Sequence, residues 1–93
     1  MSQTFVVEAS RVTWTNSGVE IVILDLEGSQ YFALNESGCE LWPLLVNGTS
    51  RDDMIAKLVD EYKISEDVAA QDVDALLDGL LERNIVKVAD GSI

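Results

Sequence analysis

Few side chains in this sequence could do covalent or metal chemistry. It holds one cysteine, Cys39, and no histidine. Without imidazole there is no Ser-His-Asp triad, no His-ligated metal and no general base of the commonest kind. One thiol excludes an intramolecular disulfide and a Cys-rich zinc site. A nucleophilic thiolate needs a cation or a base beside it, and Cys39 falls one turn into an apolar helical pattern, so packing is its expected role. Carboxylates are plentiful, and Glu66, Asp67, Asp72, Asp74, Asp78 and Glu82 crowd one stretch. The pairs Asp74/Asp78 and Asp78/Glu82 stand four apart and repel by about a few tenths of a kcal/mol each. Such a run normally forms a solvated helix face; its functional counterpart is a docking face for a basic partner. The D-x-D-x-D-G pattern of a calcium loop is absent. No set of side chains meets the geometric roles of catalysis, so neither an enzyme nor a cofactor is expected.

The charge balance narrows the partners. Six Lys plus Arg stand against seventeen Asp plus Glu, a formal −11. Phosphate would repel such a surface, which argues against nucleic acid and against an anionic membrane. A winged-helix DNA-binding regulator, which the fold class would permit, is disfavoured for that reason. The longest apolar run, Leu41–Val46, is six residues and includes a proline, far short of the ~20 that span a bilayer. No basic segment precedes an apolar one near Met1, so a signal peptide is not expected and a cytoplasmic location is the default. With 93 residues, 47% of them hydrophobic, the chain is expected to fold as one domain over 1–93, with its core at about 11–88.

The elements that must position these residues follow from periodicity. Arg11–Asn16 alternates, with Val12 and Trp14 on one face and Arg11, Thr13 and Thr15 on the other, as a half-buried strand does. Asn16-Ser17-Gly18 signals a turn. Val19–Leu26 is apolar on both faces at its centre, as a middle strand would be. After Glu27-Gly28-Ser29, the segment Gln30–Leu34 makes a third strand and completes an antiparallel meander. Phe5-Val6-Val7 could add a short strand ahead of it. At Asn35 the period changes to about 3.6. Asn35 suits the N-cap, Leu41, Leu44 and Leu45 form a stripe with Trp42 beside it, Pro43 should kink the helix, and Asn47-Gly48 ends it. Ser50 with Asp53 opens a second helix, whose buried face is Met54, Ile55, Leu58, Val59 and Tyr62. Ser65 caps a third, with Ala69, Val73, Leu76, Leu77, Leu80 and Leu81 as its apolar stripe. Ile85–Val88 resumes an extended pattern, and Ala89–Ile93 reads as a tail. Strands followed by helices make an α+β fold: a three-stranded antiparallel sheet, three helices and room for a short terminal strand.

The aromatics Trp14, Tyr31, Phe32 and Trp42 sit at core-compatible positions. Yet the third strand ends the meander, so one of its backbone edges lacks a partner. Gln30–Leu34 carries neither charge nor proline to blunt that edge, which points to capture of a peptide as an added strand. The same edge leaves a homodimer open.

The run Tyr31-Phe32-Ala33-Leu34-Asn35-Glu36-Ser37-Gly38-Cys39-Glu40-Leu41-Trp42-Pro43-Leu44-Leu45 resembles the Y-x-x-L-N-x-x-G-x-x-[IL]-W-x-L-L signature of the PqqD-like family, the RiPP recognition elements. Gly48, the helix from Ser50 and the Leu76-Leu77-x-x-Leu80 stretch extend the likeness over about Arg11 to Val88. Pro43 departs from the usual polar residue there. Most matched positions specify fold: Tyr31 and Leu34 would close the sheet, Asn35 would cap, and Gly38 would let the first helix approach closely. The resemblance implies a winged helix-turn-helix-like domain that binds the leader of a ribosomally made precursor peptide without catalysis. The leader would add beside the third strand, at Gln30, Tyr31, Phe32, Ala33 and Leu34, and pack on the third helix. With Val73, Leu76 and Leu80 taken as core, the helix side of that groove would be Ala70, Asp74, Leu77, Asp78 and Leu81. A free-standing chain of this length is most similar to the leader-binding proteins of lasso-peptide clusters, whose partners are a leader peptidase and a cyclase. The peptide chaperone of pyrroloquinoline quinone biosynthesis is the alternative.

Overall fold

In the computed structural model, residues 3–18 and 20–89 are described. Six strands and three helices follow in the order β1 (Thr4–Val7), β2 (Val12–Asn16), β3 (Ile21–Asp25), β4 (Gln30–Leu34), α1 (Glu36–Asn47), β5 (Thr49–Ser50), α2 (Arg51–Tyr62), α3 (Glu66–Glu82) and β6 (Val86–Ala89). The fold is α+β, as the periodicity indicates. The meander is β2-β3-β4, antiparallel throughout, with Ile23 opposite both Trp14 and Phe32. Val19 and the tail residues 90–93 lie outside the described residues.

The N-terminal strand forms ahead of the meander in the chain but belongs to a different sheet. β1 joins a second antiparallel sheet of order β5-β1-β6, with Phe5 opposite Val88 and Val7 opposite Val86. A turn closed by Arg11 N–H donating to the Glu8 carbonyl separates β1 from β2. Phe5 and Val7 are buried on one face of β1, so the strand needs a covered sheet, and the C-terminal strand supplies its long edge. Such a pairing joins the two ends of the chain, and no local pattern encodes it.

The helices begin where short polar side chains can satisfy orphan backbone donors. The side chains of Asn35, Ser50 and Ser65 accept from the N–H groups of Gly38, Asp53 and Val68 at 2.8, 3.1 and 3.3 Å. α1 continues through the exposed Pro43 to Asn47 and ends at Gly48, whose φ is +94°. A Cβ on Gly38 would lie 3.1 Å from the Leu34 Cβ, so glycine there lets α1 sit tightly on the end of β4. Leu41, Trp42 and Leu45 from α1, Met54 and Leu58 from α2, and Val73, Leu77 and Leu80 from α3 then join Ile21 and Ile23 in one core. Trp14 meets Trp42 edge to face, with ring centroids 5.3 Å apart. Cys39 is half-buried, its thiol pointing to the Leu34 carbonyl at 3.7 Å.

Candidate functional site

The open edge lies on β4, whose only described neighbour is β3. Which of its backbone groups face outward follows from the ladder. In an antiparallel sheet a residue turns both its N–H and C=O to the same neighbour, and alternate residues turn opposite ways. Leu26 N–H donates to the Arg11 carbonyl and Ser17 N–H to the Glu20 carbonyl, so Glu20, Val22, Leu24 and Leu26 face β2. Ile21, Ile23 and Asp25 therefore face β4, opposite Leu34, Phe32 and Gln30. Tyr31 and Ala33 are left with N–H and C=O directed away from the sheet. Two donors and two acceptors are presented at strand spacing, enough to begin a new ladder.

Side chains sort by the same alternation. Phe32 and Leu34 turn to the core face, half-buried and buried. Tyr31 turns to the other face and is 74% exposed. That overturns the expectation that Tyr31 packs in the core: among the described residues no helix covers the sheet face it shares with Val22 and Leu24.

Beside this edge runs a cleft of about 240 Å³ between β4 and α3, lined by Phe32, Ala33, Leu34, Asn35, Ser37, Gly38, Asp72, Ala75 and Leu76. Its floor is apolar. Further along α3, a Cβ on Gly79 would lie 3.8 Å from the Phe32 ring, and the Arg83 guanidinium stacks over that ring at 5.0 Å. Asp72 and Arg83 stand at the two ends of the side of α3 that faces Phe32 and its strand. They are about 16 Å apart along the helix, the length of about five residues of extended chain.

The helix side of the cleft differs from the one expected. Leu77 is 4% exposed and belongs to the core, while Leu76 is the half-buried residue that opens on the cleft. Leu77, in place of Leu76, thus joins Val73 and Leu80 in the core. Ala70 and Asp74 face α2 rather than β4. Arg51 Nε and Nη2 donate to the two carboxylate oxygens of Asp74 at 2.7 and 3.0 Å, and those bonds hold the Asp74 carboxyl below its ordinary range. Asp78 is exposed to solvent, and Leu81 is half-buried against the core. None of Ala70, Asp74, Leu77, Asp78 and Leu81 lines the cleft. Asp72, Ala75 and Leu76 line it instead, with Gly79 and Arg83 against the Phe32 ring further along. Their signal in the sequence is the small pair Ala75 and Gly79, four apart, which marks the side of α3 that another element approaches closely. Among the described residues no group of three or more His, Cys, Asp or Glu could hold a metal ion, and no helix is long and apolar enough to cross a membrane.

Known structures share this fold. The chain is similar to "TbiB1 in Complex with the TbiA(beta) Leader Peptide", with a TM-score of 0.80 at 22% identity over 95% of this chain and 98% of that one. It is also similar to "Lasso peptide synthetase B1 complexed with the leader peptide", with a TM-score of 0.77 at 24% identity over 89% and 96% of the two chains. At these identities the likeness establishes a common fold. No curated protein matches the sequence. The family model described as Coenzyme PQQ synthesis protein D (PqqD) matches residues 20–86, which take in β3, β4, all three helices and the start of β6. With most of its length matched, and with the β4–α1 signature in place, the chain belongs to the PqqD family.

Proposed function

We propose that this protein binds the leader segment of a ribosomally synthesised precursor peptide. The leader adds as a strand to β4 and lays side chains into the β4–α3 cleft. The observation that carries this is the outward-facing backbone of Tyr31 and Ala33 beside a cleft whose apolar lining is Phe32, Leu34, Ala75 and Leu76. Both similar structures named above are complexes with leader peptides, which supports leader binding here. The protein itself is a non-catalytic adaptor: it holds the leader while a leader peptidase, and a cyclase, act on the attached core peptide. The lasso-peptide assignment follows those two structures, and the pyrroloquinoline quinone pathway is the alternative that the family description favours.

The test uses a fluorescently labelled leader peptide of a lasso-peptide precursor. Ala33→Pro removes one outward N–H and leaves the bonds to β3 alone. Circular dichroism should show a retained fold while leader affinity drops by roughly fivefold or more, the loss of one interfacial hydrogen bond. Parent-like binding by a folded Ala33→Pro protein would place the leader elsewhere. A precursor of the quinone pathway, titrated in parallel, separates the two pathways.

A further inference from the structure

α3 has a second open side. Its Glu66, Asp67 and Ala70 stand across from Arg51, Asp52, Ile55, Ala56, Val59 and Asp60 of α2, with Lys63 and Ile64 closing the end, around a cavity of about 700 Å³. Ile55, Val59 and Ile64 are half-buried, and Ala56 and Ala70 are too short to fill the space between the helices. Four carboxylates, Asp52, Asp60, Glu66 and Asp67, rim this apolar floor against two cations. One of those, Arg51, is already taken up by Asp74. The cleft beside β4 uses Asp72, Ala75 and Leu76, on another face of α3, so both sites can be filled at once.

We propose that the α2–α3 groove seats a basic amphipathic helix of a partner protein. An apolar floor between two helices accepts the apolar stripe of a third, with contacts every three or four residues. The acidic rim selects Lys and Arg along the edges of that stripe and rejects a second copy of this chain, which carries −11. The groove follows α2 from Arg51 to Lys63, about 18 Å, which matches three turns of a docked helix. A partner held there stands on one side of α3 while the β4 edge remains free on the other.

The probe is a Leu/Lys amphipathic peptide of about 14 residues, long enough for roughly 20 Å of helix. It is titrated into the isotope-labelled full chain and followed by amide NMR. Shifts are expected along α2 and at Glu66, Asp67 and Ala70, with Tyr31–Leu34 unmoved. The double variant Asp60→Lys/Asp67→Asn is expected to weaken binding by about tenfold or more. Glu20→Lys/Glu82→Gln makes the same change in net charge away from the groove and is expected to bind within about twofold of the parent. A Leu/Glu peptide of the same pattern should not bind. Any of four outcomes overturns the proposal: shifts scattered over the acidic surface, shifts at β4, equal weakening by the two double variants, or binding of the Leu/Glu peptide. None of them bears on leader binding, which is measured separately with the leader.

Discussion

At the scale of residues, Leu76 and Leu77 separate site from core. Leu77 is enclosed, so Leu77→Ala is expected to cost about 2–5 kcal/mol of stability, measurable by urea unfolding. Leu76 opens on the cleft. Leu76→Ala should leave a folded protein whose leader affinity falls by about fivefold or more in the same titration. The reverse pattern would return Leu76 to the core and Leu77 to the groove, as expected from sequence. Asp74 serves the fold, through Arg51. Its carboxyl titrates lower in the folded chain than in the unfolded one, so its contribution is present above the ordinary carboxylate range and is lost as pH falls below about 4. The pair is half-exposed, so Asp74→Asn should cost under about 1 kcal/mol at neutral pH and flatten the acid limb of the stability profile. Thermal melts from pH 7 to pH 3 would show it, and an unchanged acid limb would mean the pair contributes nothing.

At the scale of elements, the caps and the meander were legible because their causes are local. Asn35, Ser50 and Ser65 each accept the backbone N–H three residues on, and alternation in Arg11–Asn16 marks the strand that forms there. Two features were not legible, for different reasons. β1 pairs with β6 across the whole length of the chain, and alternation names a strand without naming its partner. In α3 the leucines come doubled, Leu76-Leu77 and Leu80-Leu81, giving a stripe wide enough to fit two helix phases equally well. Only the packing of Leu77 and Leu80 under the sheets chooses between them. The open edge was legible, but its outward residues, Tyr31 and Ala33, required the hydrogen-bond phase. Phe32→Pro would therefore break the β3–β4 ladder and destabilise the sheet, where Ala33→Pro should not. One cap also predicts a gain. Lys63 ends α2 in the left-handed region at φ +54°, a conformation glycine adopts without strain. Lys63→Gly is expected to add up to about 1 kcal/mol, a rise of roughly 4–8 °C in Tm for a domain of this size. A lower Tm would show that the lysine side chain contributes more than the backbone strain costs.

At the scale of the whole molecule, one helix serves three surroundings. α3 gives Val73, Leu77 and Leu80 to the core, Asp72, Ala75 and Leu76 to the β4 cleft, and Glu66, Asp67 and Ala70 to the groove with α2. The −11 charge bears on what can occupy the open edge. Two copies repel each other, and salt screens that repulsion, so self-association through β4 is expected to grow with ionic strength in sedimentation runs. A leader added at the same edge would compete with it. Strand addition itself is read most directly by backbone amide exchange with and without saturating leader. Phe32 N–H is already bonded to β3, whereas the Tyr31 and Ala33 N–H groups point outward. Saturating leader is expected to slow exchange at Tyr31 and Ala33 sharply while leaving Phe32 nearly as it was. Unchanged exchange at Tyr31 and Ala33 with leader fully bound would contradict strand addition at β4.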